Sequence, residues 1–207
     1  MTEQDKPKRS YFVPALLLII VISLTGNIVL YTKTMLNNQD DWARRGHTII
    51  HSGVQLQQHI DKVLSTIQSL ETASDVPSRL EAKSSVSSAF DSLNAVETFF
   101  AEAETSNGAP LQAERRTASE FLVQAEQSLV DLGNHEGTLT AEEKAYLAML
   151  KSTYTKLKEK ADGFIYTDDA TREEALTARA DKRWVTMASE LQTIMNEPEQ
   201  MVFGGSK

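Results

Sequence analysis

An all-α fold is predicted by three features of this 207-residue chain. One uncharged apolar run lies near the amino end, apolar positions beyond it recur at alternating three- and four-residue steps, and turn material is scarce, with 9 Gly and 5 Pro. Together they predict one N-terminal transmembrane helix followed by an antiparallel extracytoplasmic helical bundle. Hydrophobic residues, at 41%, suffice to fill one core. The absence of Cys excludes a disulfide scaffold, a thiolate zinc site, an iron–sulfur cluster and a cysteine nucleophile.

The apolar run opens the element order. No charged residue lies between Ser10 and Thr32, and at about 1.5 Å per residue Tyr11 to Tyr31 spans roughly 30 Å, the hydrocarbon thickness of a bilayer. Pro14 falls in the first turn, where its missing amide proton costs little, and Tyr11 and Tyr31 fall at interfacial depth. The run is longer than the about 7–15 residues of a signal-peptide core and no Ala-x-Ala site follows, so an uncleaved anchor is expected over residues 11–32. Lys6, Lys8 and Arg9 precede it, whereas Asp40 and Asp41 follow after a single Lys33, which places residues 1–10 in the cytoplasm as a short leader. A single-pass protein of the cell membrane follows, with its bulk outside.

Residues 33–197 read as the bundle and 198–207 as a flexible tail. Breaks are predicted at Asp75-Val76-Pro77, at residues 106–110, between Gly133 and Gly137, and from Gly163 to Asp169, leaving five helical stretches. The first, 36–72, carries Ile49, Gly53, Leu56, Ile60, Val63, Ile67 and Leu70 at coiled-coil spacing. With no breaker between Tyr31 and Asp41, it continues from the membrane helix as a stalk roughly 50 Å long, through which a homodimer is possible. The second, 78–104, buries Val86, Phe90, Leu93, Val96 or Glu97, and Phe100, with Ser84, Ser85, Ser87 and Ser88 marking solvent or a close crossing. The third, 110–132, buries Leu111, Ala118, Phe121 or Leu122, Ala125, Leu129 and Leu132.

A capping box, Thr140 with Glu143, opens the fourth stretch, whose inner edge is Leu147, Leu150, Tyr154, Leu157, Ala161 and Phe164. Asp168 or Asp169 is expected to cap the fifth, with Glu173 and Glu174 near its positive end and Leu176, Ala180, Trp184, Met187, Leu191 and Ile194 or Met195 inward.

Chemistry-bearing patterns are sparse. Residues 33–207 carry about -9, which repels nucleic acid, so no nucleic-acid partner is expected. His47 and His51 share a helix face with His59 two turns on, but two imidazoles fall short of the three ligands that a zinc site needs, so no metal site is expected and they read as polar-face histidines. The pairs Asp40-Asp41, Glu142-Glu143, Asp168-Asp169 and Glu173-Glu174 lie at helix starts or linkers, where capping explains them. No phosphate loop, dinucleotide fingerprint or Gly-x-Ser-x-Gly turn occurs, so no enzyme, catalytic residue or cofactor is expected. Trp42, Arg44 and Arg45 follow the membrane exit, suited to headgroup contact. Tyr146, Tyr154, Tyr166 and Trp184 are the aromatic candidates for an interface, with Tyr154 and Trp184 on the core stripe.

The segment Leu139-Thr140-Ala141-Glu142-Glu143-Lys144-Ala145-Tyr146-Leu147, continuing through Leu150-Lys151-Ser152-Thr153-Tyr154, resembles the amino-terminal region of the spore-germination accessory protein family that partners a cortex-lytic enzyme. Gln55 to Gln68 is similar in pattern to the first external helix of that family, whose further carboxy-terminal domains have no counterpart here. The resemblance implies a non-enzymatic scaffold that binds and positions a wall-lytic or other envelope protein. The layout also resembles the external sensory bundles of chemoreceptors and histidine kinases, which implies the alternative of a ligand-binding regulatory subunit. With only nine or ten residues before the span, such a sensor would signal through a separate membrane partner.

Overall fold

The computed structural model describes residues 12–204. The expected leader at 1–10, Tyr11 and the last three residues of the tail lie outside the described residues. Seven helices and no strand occur among the described residues: α1 Phe12–Thr72, α2 Val76–Phe90, α3 Leu93–Asn107, α4 Ala118–Asp131, α5 Ala141–Ala161, α6 Arg172–Ala180 and α7 Arg183–Asn196. The chain divides into two units after Trp42. In the first, the apolar side chains from Phe12 to Leu36 are exposed, and α1 is the one described helix long and apolar enough to cross a membrane.

The second unit closes around one main core. Along α1 the buried positions include Ala43, Gly46, Ile49, Gly53, Leu56, Ile60, Val63, Ile67 and Leu70, the predicted stripe extended by two turns at its start, with Ile50, Ser52, His59 and Thr66 buried beside it. Helix α7 packs on α5, α3 and α4, and α4 also meets α2 and α3. Two glycines set the closest approaches. A Cβ on Gly46 would stand 1.9 Å from the Ala175 carbonyl oxygen, and one on Gly53 would stand 2.3 Å from the Phe164 ring. Ser85 of α2 makes the close crossing its small side chain allows, meeting the Thr66 hydroxyl at 3.1 Å.

Two predicted helices are each split. The 78–104 stretch breaks at Asp91-Ser92, where the Ser92 carbonyl accepts from the Ala95 and Val96 amides, restarting the helix on short polar residues that favour turns over helix interiors. Phe99 joins Val96 and Phe100 in the core, whereas Leu93 is half-buried. The last stretch breaks at Asp181-Lys182, where the Asp181 carboxylate accepts from the Arg183 backbone amide at 2.9 Å. On α6 the inward residues are Ala175 and Ala178; Leu176 is half-buried and Ala180 exposed.

The third helix begins at Ala118 rather than 110. Residues ahead of it are held elsewhere: the Arg115 and Arg116 amides both donate to Asn196 Oδ1, at 2.8 and 2.9 Å. The Arg116 guanidinium donates to the Met195 carbonyl in the last turn of α7, where helix carbonyls lack partners, and to the Glu199 carbonyl beyond it. Thr117 then opens α4 with a capping box to Glu120, as Thr140 opens α5 with Glu143. Thr171 does the same for α6 with Glu174, so the cap is Thr171 and not Asp168 or Asp169. Asp168 instead meets His51, and Asp169 accepts from the Thr167 hydroxyl.

Part of the expected flexible tail is held in place. Met201 is buried, its carbonyl accepts from Tyr146 Oη at 2.7 Å and Ser128 Oγ at 3.0 Å, and the Phe203 ring packs on Tyr146.

Gly46→Ala drives a methyl group into main-chain atoms that cannot swing aside, and the expected loss is about 1–3 kcal/mol or more. Denaturant melts of the intact chain in detergent measure it. His47→Ala, on the exposed side of the same turn, should stay within about 0.5 kcal/mol of the parent. A Gly46→Ala midpoint equal to the parent's would refute the close approach.

Candidate interaction surface

A groove of about 340 Å³ opens where the connection after α5 passes α7. Its floor is aromatic and its construction begins at Gly53, which makes room for the Phe164 ring on α1. Phe164 meets Phe99 edge-on with centroids 5.8 Å apart, Phe99 meets Trp184 at 5.5 Å, and Tyr166 packs on Phe164 at 5.4 Å. Trp184 is 3% exposed and its indole N–H donates to the Ala178 carbonyl at 2.9 Å, so both its ring and its polar edge are fixed. Met187 completes the floor.

The rim is charged. Lys160 pairs with Glu190 at 3.1 Å, and Asp181 takes the Arg183 guanidinium at 2.8 Å. The Arg183 side chain holds the Asp181 carboxyl below its ordinary range. Between rim and floor stands Ile165, 71% exposed beside the buried Phe164. A fixed apolar floor, polar rim and protruding aliphatic side chain form the layout of a protein-binding patch.

The other aromatic candidates serve the interior. Tyr154 is fully buried and Tyr146 is tied to Met201. Arg45, expected at headgroups, donates to Glu102 of α3 at 2.9 Å. Trp42 is half-exposed.

The histidines separate into different roles. His47 and His51 are exposed, and His51 meets Asp168 at 3.1 Å. His59 is no polar-face residue: it is buried in the core, where its Nδ1–H donates to the Ala89 carbonyl at 2.8 Å and its Nε2 accepts from Tyr154 Oη at 3.3 Å. Neutral imidazole supplies that one donor and one acceptor, and burial pushes the pKa down to about 4. Among the described residues no group of three His, Cys, Asp or Glu side chains is placed to hold a metal ion.

The loop from Leu132 to Thr140, read from sequence as a break and a helix cap with no site, holds a second cleft of about 320 Å³ against α2. Arg79 is buried there and donates to the Gly137 and His135 carbonyls. His135 donates from Nδ1 to Glu136 O and from Nε2 to Glu143 Oε2, each at 2.8 Å; the Glu136 carbonyl first and Glu143 second hold its pKa above the ordinary value. Burial pushes the Glu143 carboxyl up, but donation from His135 and from the Thr140 and Gly133 amides outweighs it and holds the pKa at about 2. The capping glutamate read from sequence therefore also anchors the loop before it.

No protein-family model, curated protein or solved structure matches this chain.

His59 gives the folded unit a pH dependence of definite sign. Its folded pKa lies below 6.5, so its contribution is complete above pH 6.5 and declines as pH falls toward 4, by up to about 1.4 kcal/mol per pH unit. His135 has the opposite sign, its contribution being complete below pH 6.5 and lost as pH rises through its raised folded value. Glu143 loses its contribution only below about 4.5. Denaturant midpoints between pH 6.5 and 4.5 should therefore fall in the parent and flatten in His59→Phe. Equal slopes in the two proteins would sink the buried-neutral assignment.

Proposed function

We propose that this chain is a single-pass membrane protein whose helical unit, displayed antiparallel-packed outside the cytoplasm, binds and positions a partner protein of the envelope. The observation that carries this reading is the aromatic-floored groove with Ile165 raised at its edge, in a unit whose other large apolar residues are mostly buried. The exposed apolar stretch of α1 supports the anchor, and the basic residues ahead of it against Asp40 and Asp41 support an inside amino end. The mechanism is positional. Anchoring confines the search to the membrane plane and raises the effective concentration of the patch without covalent chemistry.

The partner proposed first is a wall-lytic enzyme, on the resemblance carried by residues 139–154. Tight binding would be centred on Ile165, because an aliphatic side chain that leaves water against a fixed aromatic floor gains burial at small ordering cost.

A photo-crosslinking amino acid placed at Ile165 in the full-length chain, in its native membrane, should capture one envelope protein. The same probe at Gln127, exposed on α4, should not. Ile165→Asp should weaken retention of that protein by about tenfold or more while leaving the denaturant midpoint unchanged. Equal capture from both positions, or unchanged retention by Ile165→Asp, counts against the groove as the docking surface.

A further inference from the structure

The apolar stretch, exposed on every side over residues 12–38, carries polar groups that a bilayer would leave stranded. Three hydroxyls on it already answer to their own backbone: Thr25 Oγ1 donates to Val21 O at 2.8 Å, Thr32 Oγ1 to Ile28 O at 2.9 Å and Thr34 Oγ1 to Leu30 O at 3.0 Å. Asn27 and Ser23 make no such bond among the described residues. Asn27 brings two donors and an acceptor. It lies four residues before Tyr31, about 6 Å further into the apolar segment, and its side chain is too short to reach headgroups as Lys or Arg would. Within hydrocarbon such a group must find its partner in protein.

Asn27 does not stand alone on the helix surface. Leu16, Ile20, Ser23, Asn27, Leu30 and Thr34 follow one another at steps of four and three, the seam of a left-handed helix pair with Ser23 and Asn27 at its middle. What such a seam meets is decided by chemistry and geometry together. A carboxamide is its own complement, the N–H of one meeting the C=O of another. Copies of a single-pass chain insert the same way round, so every Asn27 lies at one depth, and no different partner is guaranteed an amide there.

We propose that the occupant of this face is a second copy of the chain, as a parallel, in-register dimer in which Asn27 hydrogen-bonds Asn27 across the Leu16–Thr34 seam. The inference rests on the reading that this segment spans a membrane. It specifies a pairing inside the bilayer, in contrast to the stalk pairing expected from sequence. One Asn at a core position of a two-stranded helix pair fixes register and parallel orientation, which suits a seam otherwise held by aliphatic contacts alone.

The chain contains no Cys, so a single introduced thiol reports without background. Full-length protein reconstituted in phosphatidylcholine vesicles would carry Ile20→Cys, Ser23→Cys or Leu30→Cys on the seam, and Leu18→Cys, Val21→Cys or Val29→Cys off it. Oxidative crosslinking should peak at the three seam positions. Adding Asn27→Leu should lower those crosslinks about tenfold, since that change removes the shared amide pair and leaves the aliphatic surface intact. A water-soluble maleimide, applied with and without detergent, tests the span on the same samples. Thiols shielded until detergent is added, with crosslinks confined to the seam and dependent on Asn27, support the dimer. Shielded thiols with crosslinks absent, uniform, on another face or indifferent to Asn27→Leu overturn the dimer and leave the span standing. Thiols labelled without detergent overturn both.

Discussion

Two side chains missing from α1 determine much of what is built beside it. At Gly46 the helix is bare enough for the Ala175 main chain to reach it, and seven residues later Gly53 admits the Phe164 ring. Seven residues return to nearly the same side of a helix, so both openings face the same way. Through the first, α6 is brought against α1, although it is only nine residues long and would not hold its shape alone in water. Through the second, Phe164 is fixed, and with it Tyr166, Phe99 and Trp184. The groove is thus the outer end of a contact that starts with an absent Cβ, and its floor is as rigid as the core it continues.

Four large donors in the interior follow one scheme. Arg79, Arg116, His59 and Trp184 are all buried, and each donates to main-chain carbonyls in loops or near helix ends. Carbonyls in such places have no ladder partner and need a donor when water is excluded. Burying a guanidinium is costly unless its donors are met. These long donors therefore fix irregular segments that carry little apolar surface of their own. The loop from Leu132 to Thr140 is tied to α2 by Arg79, and the stretch before α4 is tied to the end of α7 by Arg116.

How far this was readable from residues depended on whether the deciding contact was local. The α1 stripe, the inner edge of α5 and the Thr140 cap rest on spacings of three and four residues, and the folded chain uses them as read. Thr117 with Glu120 and Thr171 with Glu174 show the same Thr-x-x-Glu spacing, and applying it throughout would have placed the starts of α4 and α6. Other features had no local signal. Leu111 fits an apolar stripe, yet Arg115 and Arg116 are bound to Asn196 some eighty positions away, and helix starts only after them. His59 sits in a run of polar residues, and only the arrival of Ala89 and Tyr154 makes its place an interior one. The groove was half visible: Tyr166 and Trp184 stood out as aromatics, but Ile165 gains meaning only beside Phe164 and α7.

A scheme in which side chains donate to backbone has a consequence for inheritance. Backbone carbonyls persist through nearly every substitution, so the identities of Ala89, His135, Gly137, Ala178, Met195 and Glu199 do not encode the bonds they accept. Each bond can be lost from one end only. Lineages descending from this chain would drift freely in how those acceptor positions are spelled, under steric limits alone, while Arg79, Arg116, His59 and Trp184 stayed put without any of these acceptors changing in step. Paired substitution, the usual trace of side-chain contact, would leave no record of these bonds.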